Sequence, residues 1–189
     1  MKTPIALAVL LLATGAQAHI TDFAGTFAPE ATGATGSGTL FMEYDQDGHT
    51  LFINATFAGL SGTTTQAHIH CCTASPNTGT ASVALATNGI LPGFPVGVNG
   101  DTYTHLIDLS LTTSYTAGFV TASGGTALGA ETRLIANLTS GNAYFNIHTT
   151  TFGGGEIRTF VTVVPEPASY ALMALGLAGV LGAARRRSA

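Results

Sequence analysis

Thr39-Leu40-Phe41-Met42-Glu43-Tyr44, Asp45-Gln46-Asp47-Gly48 and Thr50-Leu51-Phe52-Ile53-Asn54-Ala55-Thr56-Phe57 decide the fold class. Apolar residues alternate on both sides of a four-residue acidic stretch ending in Asp-Gly, a strong hairpin turn signal. Leu51, Ile53, Ala55 and Phe57 fall at a spacing of two, so they share one face of an extended strand. The acidic turn begins like a calcium loop, but the remaining ligand positions are missing, so a solvated turn is the expectation.

Working outward, the same two-residue rhythm recurs. Asp22–Ala28 is a short strand carrying Phe23 and Phe27, and Ala81–Ala86 and Tyr103–Leu111 are further strands. Tyr103, His105, Ile107, Leu109 and Leu111 are expected on one face of the latter. Leu91–Gly97 holds two prolines and two glycines and must be a loop. Ser114–Ala122 and Thr126–Ala136 are the helical candidates, with Ala130, Leu134, Ile135 and Leu138 as an apolar stripe and Gly141 as terminator. Asn142–Thr149 and Glu156–Val163 form a last hairpin, with Phe145 and Ile147 facing Ile157, Val161 and Val163. Tyr144, Asn146, His148, Glu156 and Arg158 are expected on its other face, with Glu156 and Arg158 paired to fix it. The chain of 189 residues, 46% hydrophobic and 8% charged with 24 glycines, therefore reads as one all-β domain with one or two short helices. Between His19 and Val164 only Arg133 and Arg158 are basic, against nine acidic residues. Nucleic acid is excluded as a partner on that balance, since little would neutralise phosphate.

Gln66-Ala67-His68-Ile69-His70-Cys71-Cys72 holds two of the six histidines and both cysteines. Extended, it turns Ala67, Ile69 and Cys71 to one side and His68, His70 and Cys72 to the other. Imidazoles at i and i+2 can close on one ion with His148 as a third ligand and Cys72 as a fourth, and nitrogen and sulfur donors select copper or zinc. The plain alternative is three histidines hydrogen-bonded to their neighbours. In an oxidising compartment the cysteines have only each other within the chain. Adjacent Cα atoms ~3.8 Å apart make a Cys71–Cys72 ring strained, and it is expected to end the strand at His70. A thiolate on metal and a bridge to another chain are the other options.

The two ends carry an address. Lys2, the apolar run Ile5–Thr14 and Ala16-Gln17-Ala18 have the order of a secretory signal peptide over residues 1–18. Cleavage after Ala18 would expose His19 as the N-terminus, and an N-terminal histidine can chelate copper through amine and imidazole together. An accident of where the signal ends is the alternative. Residues 164–189 hold Pro165-Glu166-Pro167, an uncharged helix of roughly 25 Å over Ala168–Ala184, and Arg185-Arg186-Arg187. The three arginines would stay cytoplasmic. This order resembles a PEP-CTERM sorting signal. The resemblance implies transient insertion in the inner membrane of a Gram-negative bacterium, processing by an exosortase-type protease, and release to the cell surface or exopolysaccharide matrix.

Between the ends, residues 19–163, two signatures coincide: Ala67-His68-Ile69-His70, and Gly141-Asn142-Ala143-Tyr144-Phe145-Asn146-Ile147-His148-Thr149 followed by Gly154-Gly155-Glu156-Ile157-Arg158. Together they resemble the CHRD domain. Thr159 stands where that family usually has glycine, and Cys71-Cys72 replaces a Gly-rich continuation. The resemblance implies a Greek-key β-sandwich or barrel with an outline similar to copper/zinc superoxide dismutase, in which His68, His70 and His148 echo three ligands. A His-rich bridging loop and an aspartate for zinc are missing. The expectation is therefore a non-enzymatic exported domain, with a degenerate, metal-dependent redox enzyme as the alternative.

Overall fold

The computed structural model describes residues 19–165, Leu172 and residues 175–180. Residues 1–18, expected to be a signal peptide, Glu166, Pro167, Arg185, Arg186, Arg187 and most of the C-terminal apolar stretch lie outside the described residues. Among the described residues no helix is long and apolar enough to cross a membrane.

Nine strands build the domain: β1 (Ile20–Pro29), β2 (Ser37–Asp45), β3 (Thr50–Ala58), β4 (Thr64–Cys71), β5 (Ser82–Leu85), β6 (Asp101–Asp108), β7 (Ala143–Thr149), β8 (Ile157–Phe160) and β9 (Thr162–Val164). Two helices, α1 (Ala117–Ala122) and α2 (Ala127–Thr139), lie between β6 and β7. Thr116 and Thr126 cap them, each side chain accepting a hydrogen bond from a first-turn N–H.

The strands do not separate into the two sheets of a sandwich. One hydrogen-bonded path runs β5-β4-β7-β8-β1-β2-β3-β6, every pairing on it antiparallel, with β9 joined to β1. The reason lies in β1. Its residues 20–27 pair with β2, whereas Ala28 and Pro29 pair with Arg158 and Ile157 of β8. One strand thus serves both halves, and the sheet curls over a shared core.

Four phenylalanines stitch that core across the curl. Phe57 stacks on Phe94 with centroids 5.5 Å apart, Phe94 lies 6.5 Å from Phe145, and Phe145 meets Phe27 edge-on at 5.5 Å. The hairpin reading places Leu51, Ile53, Ala55 and Phe57 inward, and all four are buried. The Leu91–Gly97 loop closes the far side of β4: Leu91 N donates to Ala67 O and Gly97 N to Thr64 O, both at 2.8 Å.

Two residues leave the strand faces expected of them. β6 ends at Asp108, so Leu111 falls beyond it and is exposed. The last strand breaks at Val161. β8 pairs with β7 while β9 switches to the start of β1, and Val163 is left exposed rather than facing the core with Ile157 and Val161.

The Thr159 departure has a counterpart across the sheet. A Cβ on Gly25 would collide with the Thr159 side chain and stand 2.8 Å from the Phe160 carbonyl. Space that a glycine in β8 would leave open is instead left by a glycine in β1. Gly25→Ala should therefore destabilise the domain by roughly 1–3 kcal/mol in denaturant unfolding, as overpacking does. The cost should be smaller in a Thr159→Gly background, and equal costs in both backgrounds would refute the compensation.

Candidate metal centre

β4 and β7 are neighbours in register, with His68 opposite Asn146, His70 opposite Tyr144 and Gln66 opposite His148. Because Ala67, Ile69, Phe145 and Ile147 are committed to the core, the residues between them face out. That parity brings His68, His70 and His148 together, with one ligand atom of each within 4.8 Å of the others. His68 and His148 are buried and His70 is half-buried, beneath loops that cross the outer face.

Each ring is held by a carbonyl from a different loop. Nδ1 of His68 lies 3.0 Å from Gly89 O, that of His70 2.8 Å from Ala81 O, and that of His148 2.9 Å from Gly153 O. A carbonyl only accepts, so each Nδ1 carries the hydrogen and each neutral ring presents a bare lone pair at Nε2. His68 Nε2 and His148 Nε2 then stand 2.8 Å apart. His70 Nε2 is buried without a partner. Two lone pairs at that distance repel unless a cation, a proton or a metal ion, lies between or beside them.

The rings suit a metal. Burial pushes the His68 imidazole below its ordinary range, against the bond to Gly89 O, and pushes His70 down from 6.5 to about 4. His70 is therefore neutral at pH 7. Donors ~2.0 Å from a tetrahedral ion stand ~3.3 Å apart, a figure that the observed spacings bracket.

The surround is aromatic and charged. Tyr144 stacks on His70 with centroids 4.7 Å apart and planes 9° from parallel. The Arg158 guanidinium lies 5.1 Å from the centre of the Tyr144 ring. Arg158 pairs with Glu30 at 3.2 Å and donates to Gly79 O at 2.8 Å. Glu30 also accepts from the Asn146 amide. The expected Glu156–Arg158 pair does not form. Glu156 is fully buried and takes hydrogen bonds from Ser61 N and from Thr149 Oγ1 at 2.6 Å.

Cys71 and Cys72 are bonded to each other, so Cys72 supplies no thiolate to the imidazoles. Cys71 packs in the core, and β4 continues through it, pairing with Ala143 and Ser82 rather than stopping at His70. The disulfide instead lines a cleft of about 480 Å³ with Val83, Thr116, Phe119 and Arg133. A second polar cluster escaped the sequence reading. Glu131 of α2 is buried and accepts from Tyr44 Oη at 2.7 Å while His49 Nδ1 lies 2.9 Å from its other oxygen. Nothing in the periodicity of α2 marks it, because its partners come from β2 and the turn after it.

The CHRD domain model matches residues 17–161, and the chain belongs to that family. The PEP-CTERM protein-sorting motif matches residues 163–187 and marks an exported chain processed by an exosortase, a membrane protease. Neither the curated proteins nor the solved structures return a match.

Glu156 anchors the loop that carries Gly153, since Thr149 binds both its carboxylate and Phe152 N. Burial alone would raise its pKa, but bonds from Thr149, Ser61 and Gly62 outweigh that and hold it below the usual 4.5. A carboxylate with a depressed folded value stabilises fully above the unfolded value and loses that contribution as pH falls through the folded one. Glu156→Gln should cost on the order of 2 kcal/mol at pH 7. Its acid unfolding curve should be shallower below pH 4.5 than the parent's, and parallel curves would contradict this role.

Proposed function

We propose that this exported CHRD-family protein is a non-enzymatic domain of the cell surface or exopolysaccharide matrix that holds one copper or zinc ion through Nε2 of His68, His70 and His148. The observation that carries the reading is the three-fold Nδ1–carbonyl arrangement, which leaves Nε2 free for a metal on three rings that each offer a ligand atom within 4.8 Å of the others. Carbonyl or carboxylate partners at the outer nitrogen are the usual support of a metal-bound imidazole. Three neutral nitrogens favour copper or zinc over calcium or magnesium, which prefer oxygen. Exosortase processing, with release from the inner membrane, would deliver the site to the outside of the cell, where both metals are met in free form.

The redox alternative keeps one supporting feature. Three nitrogens leave coordination positions open, and His70 is the least buried of the three rings. It requires superoxide turnover that disappears in His148→Ala.

The metal reading is tested by stripping the protein with chelator and adding zinc or copper. A ligand at a hundredfold excess over its Kd stabilises by about 2.7 kcal/mol, so Tm should rise by roughly 5–10 °C. Copper should give an electron paramagnetic resonance spectrum with nitrogen hyperfine structure. His148→Ala should abolish the Tm rise with zinc and remove one equivalent of nitrogen-coordinated copper. An unchanged Tm with both metals rejects the site.

A further inference from the structure

We propose that the mature chain carries a second copper site, formed at its N-terminus by the α-amine and Nδ1 of His19 with the carboxylate of Asp47. It shares no residue with the imidazole triad and does not depend on it. Ala16-Gln17-Ala18 places scission between Ala18 and His19. Hydrolysis of that peptide bond consumes one water, leaving a carboxylate on Ala18 and an ammonium on His19. The ammonium proton passes to solvent when its nitrogen binds the metal. Amine and Nδ1 then close a six-membered ring on one ion.

The fold brings an anion to that pair. His19 N lies 3.4 Å from Asp47 Oδ2, and His19 Nδ1 lies 3.3 Å from Asp47 Oδ1. Each nitrogen thus faces a different oxygen of one carboxylate. Donors about 2.0 Å from an ion in a square arrangement stand about 2.8 Å apart, so closure asks for a shift of roughly half an ångström. Both partners are held by backbone. His19 O accepts from Gln46 N at 3.1 Å, one residue before the Ile20–Asp45 pair that starts the β1–β2 ladder. Asp45 Oδ1 accepts from Asp47 N and Gly48 N, each at 2.9 Å, which fixes the turn that presents Asp47. The other imidazole of this turn, His49, is engaged with Glu131. Two nitrogens and a carboxylate in a tetragonal set select Cu(II) over zinc.

The chemistry of the chain supplies a clean test. Lys2 is its only lysine and leaves with residues 1–18, so the mature protein has one aliphatic amine, that of His19. The exported protein is purified, its N-terminus read by mass spectrometry, and one portion acetylated. Copper binding is then counted by equilibrium dialysis and electron paramagnetic resonance. Acetylation should remove one equivalent of copper, whether the triad is filled or empty, and weaken N-terminal affinity on the order of 100-fold as the chelate opens. His19→Gln should lose the same equivalent, and Asp47→Asn should weaken it about tenfold. A mature N-terminus other than His19, or copper stoichiometry unchanged by acetylation, would overturn the proposal.

Discussion

The structure rests on one constraint: β4 and β7 must bury the same parity of residues against a common core. Ile69 and Phe145 are paired in register and fully inside. Once they are, alternation leaves His68, His70 and His148 no choice but the outer face. A one-residue slip of either strand would send imidazoles into the core and Ile or Phe out to solvent, a penalty of several buried side chains at once. The histidine cluster is thus fixed by hydrophobic burial on the opposite side of the sheet, at no cost in dedicated scaffold.

Parity alone gives direction, not tautomer. The loops give the tautomer, and they come from three separate places: Gly89 after β5, Ala81 before it, and Gly153 after β7. Gly89 sits at φ 84°, a left-handed conformation that a side chain would resist, which lets its carbonyl turn toward His68. Glu156 and the Glu30–Arg158 pair hold two of these loops down. The Gly153 loop is therefore tied to β7, the strand that carries His148, and the Gly79–Ala81 loop to Arg158 of β8.

This division explains what was legible in the sequence. Strand faces follow from local alternation, so the hairpin of β2 and β3 and the common face of the three histidines could be read directly. Chain closure could not. The sharing of β1 between two partners, the switch of pairing at Val161 and the resulting exposure of Val163 depend on which strands meet. The partners of Glu156 come from Ser61 and Thr149, and those of Glu131 from β2 and His49, at separations no periodicity encodes. The carbonyls behind the rings were invisible for the same reason, since every loop residue offers one.

Charge around the triad completes the argument for what it can hold. Three neutral imidazoles would leave both charges of a divalent ion uncompensated, and Arg158, whose charge reaches His70, would oppose it. Its field already adds to the depression of the His70 pKa, behind burial and the neighbouring rings. Glu30 lies 3.2 Å from that guanidinium on the outer face and also takes the Asn146 amide beside His68. The pair is neutral as a unit, so the arginine can clamp the Gly79 carbonyl and cover Tyr144 without repelling an ion at the rings. Removing Glu30 would uncover that charge, and removing Arg158 would leave a carboxylate free to compete as an oxygen donor. The nitrogen character of the imidazole cluster therefore depends on an ion pair that makes no hydrogen bond to any of the three rings.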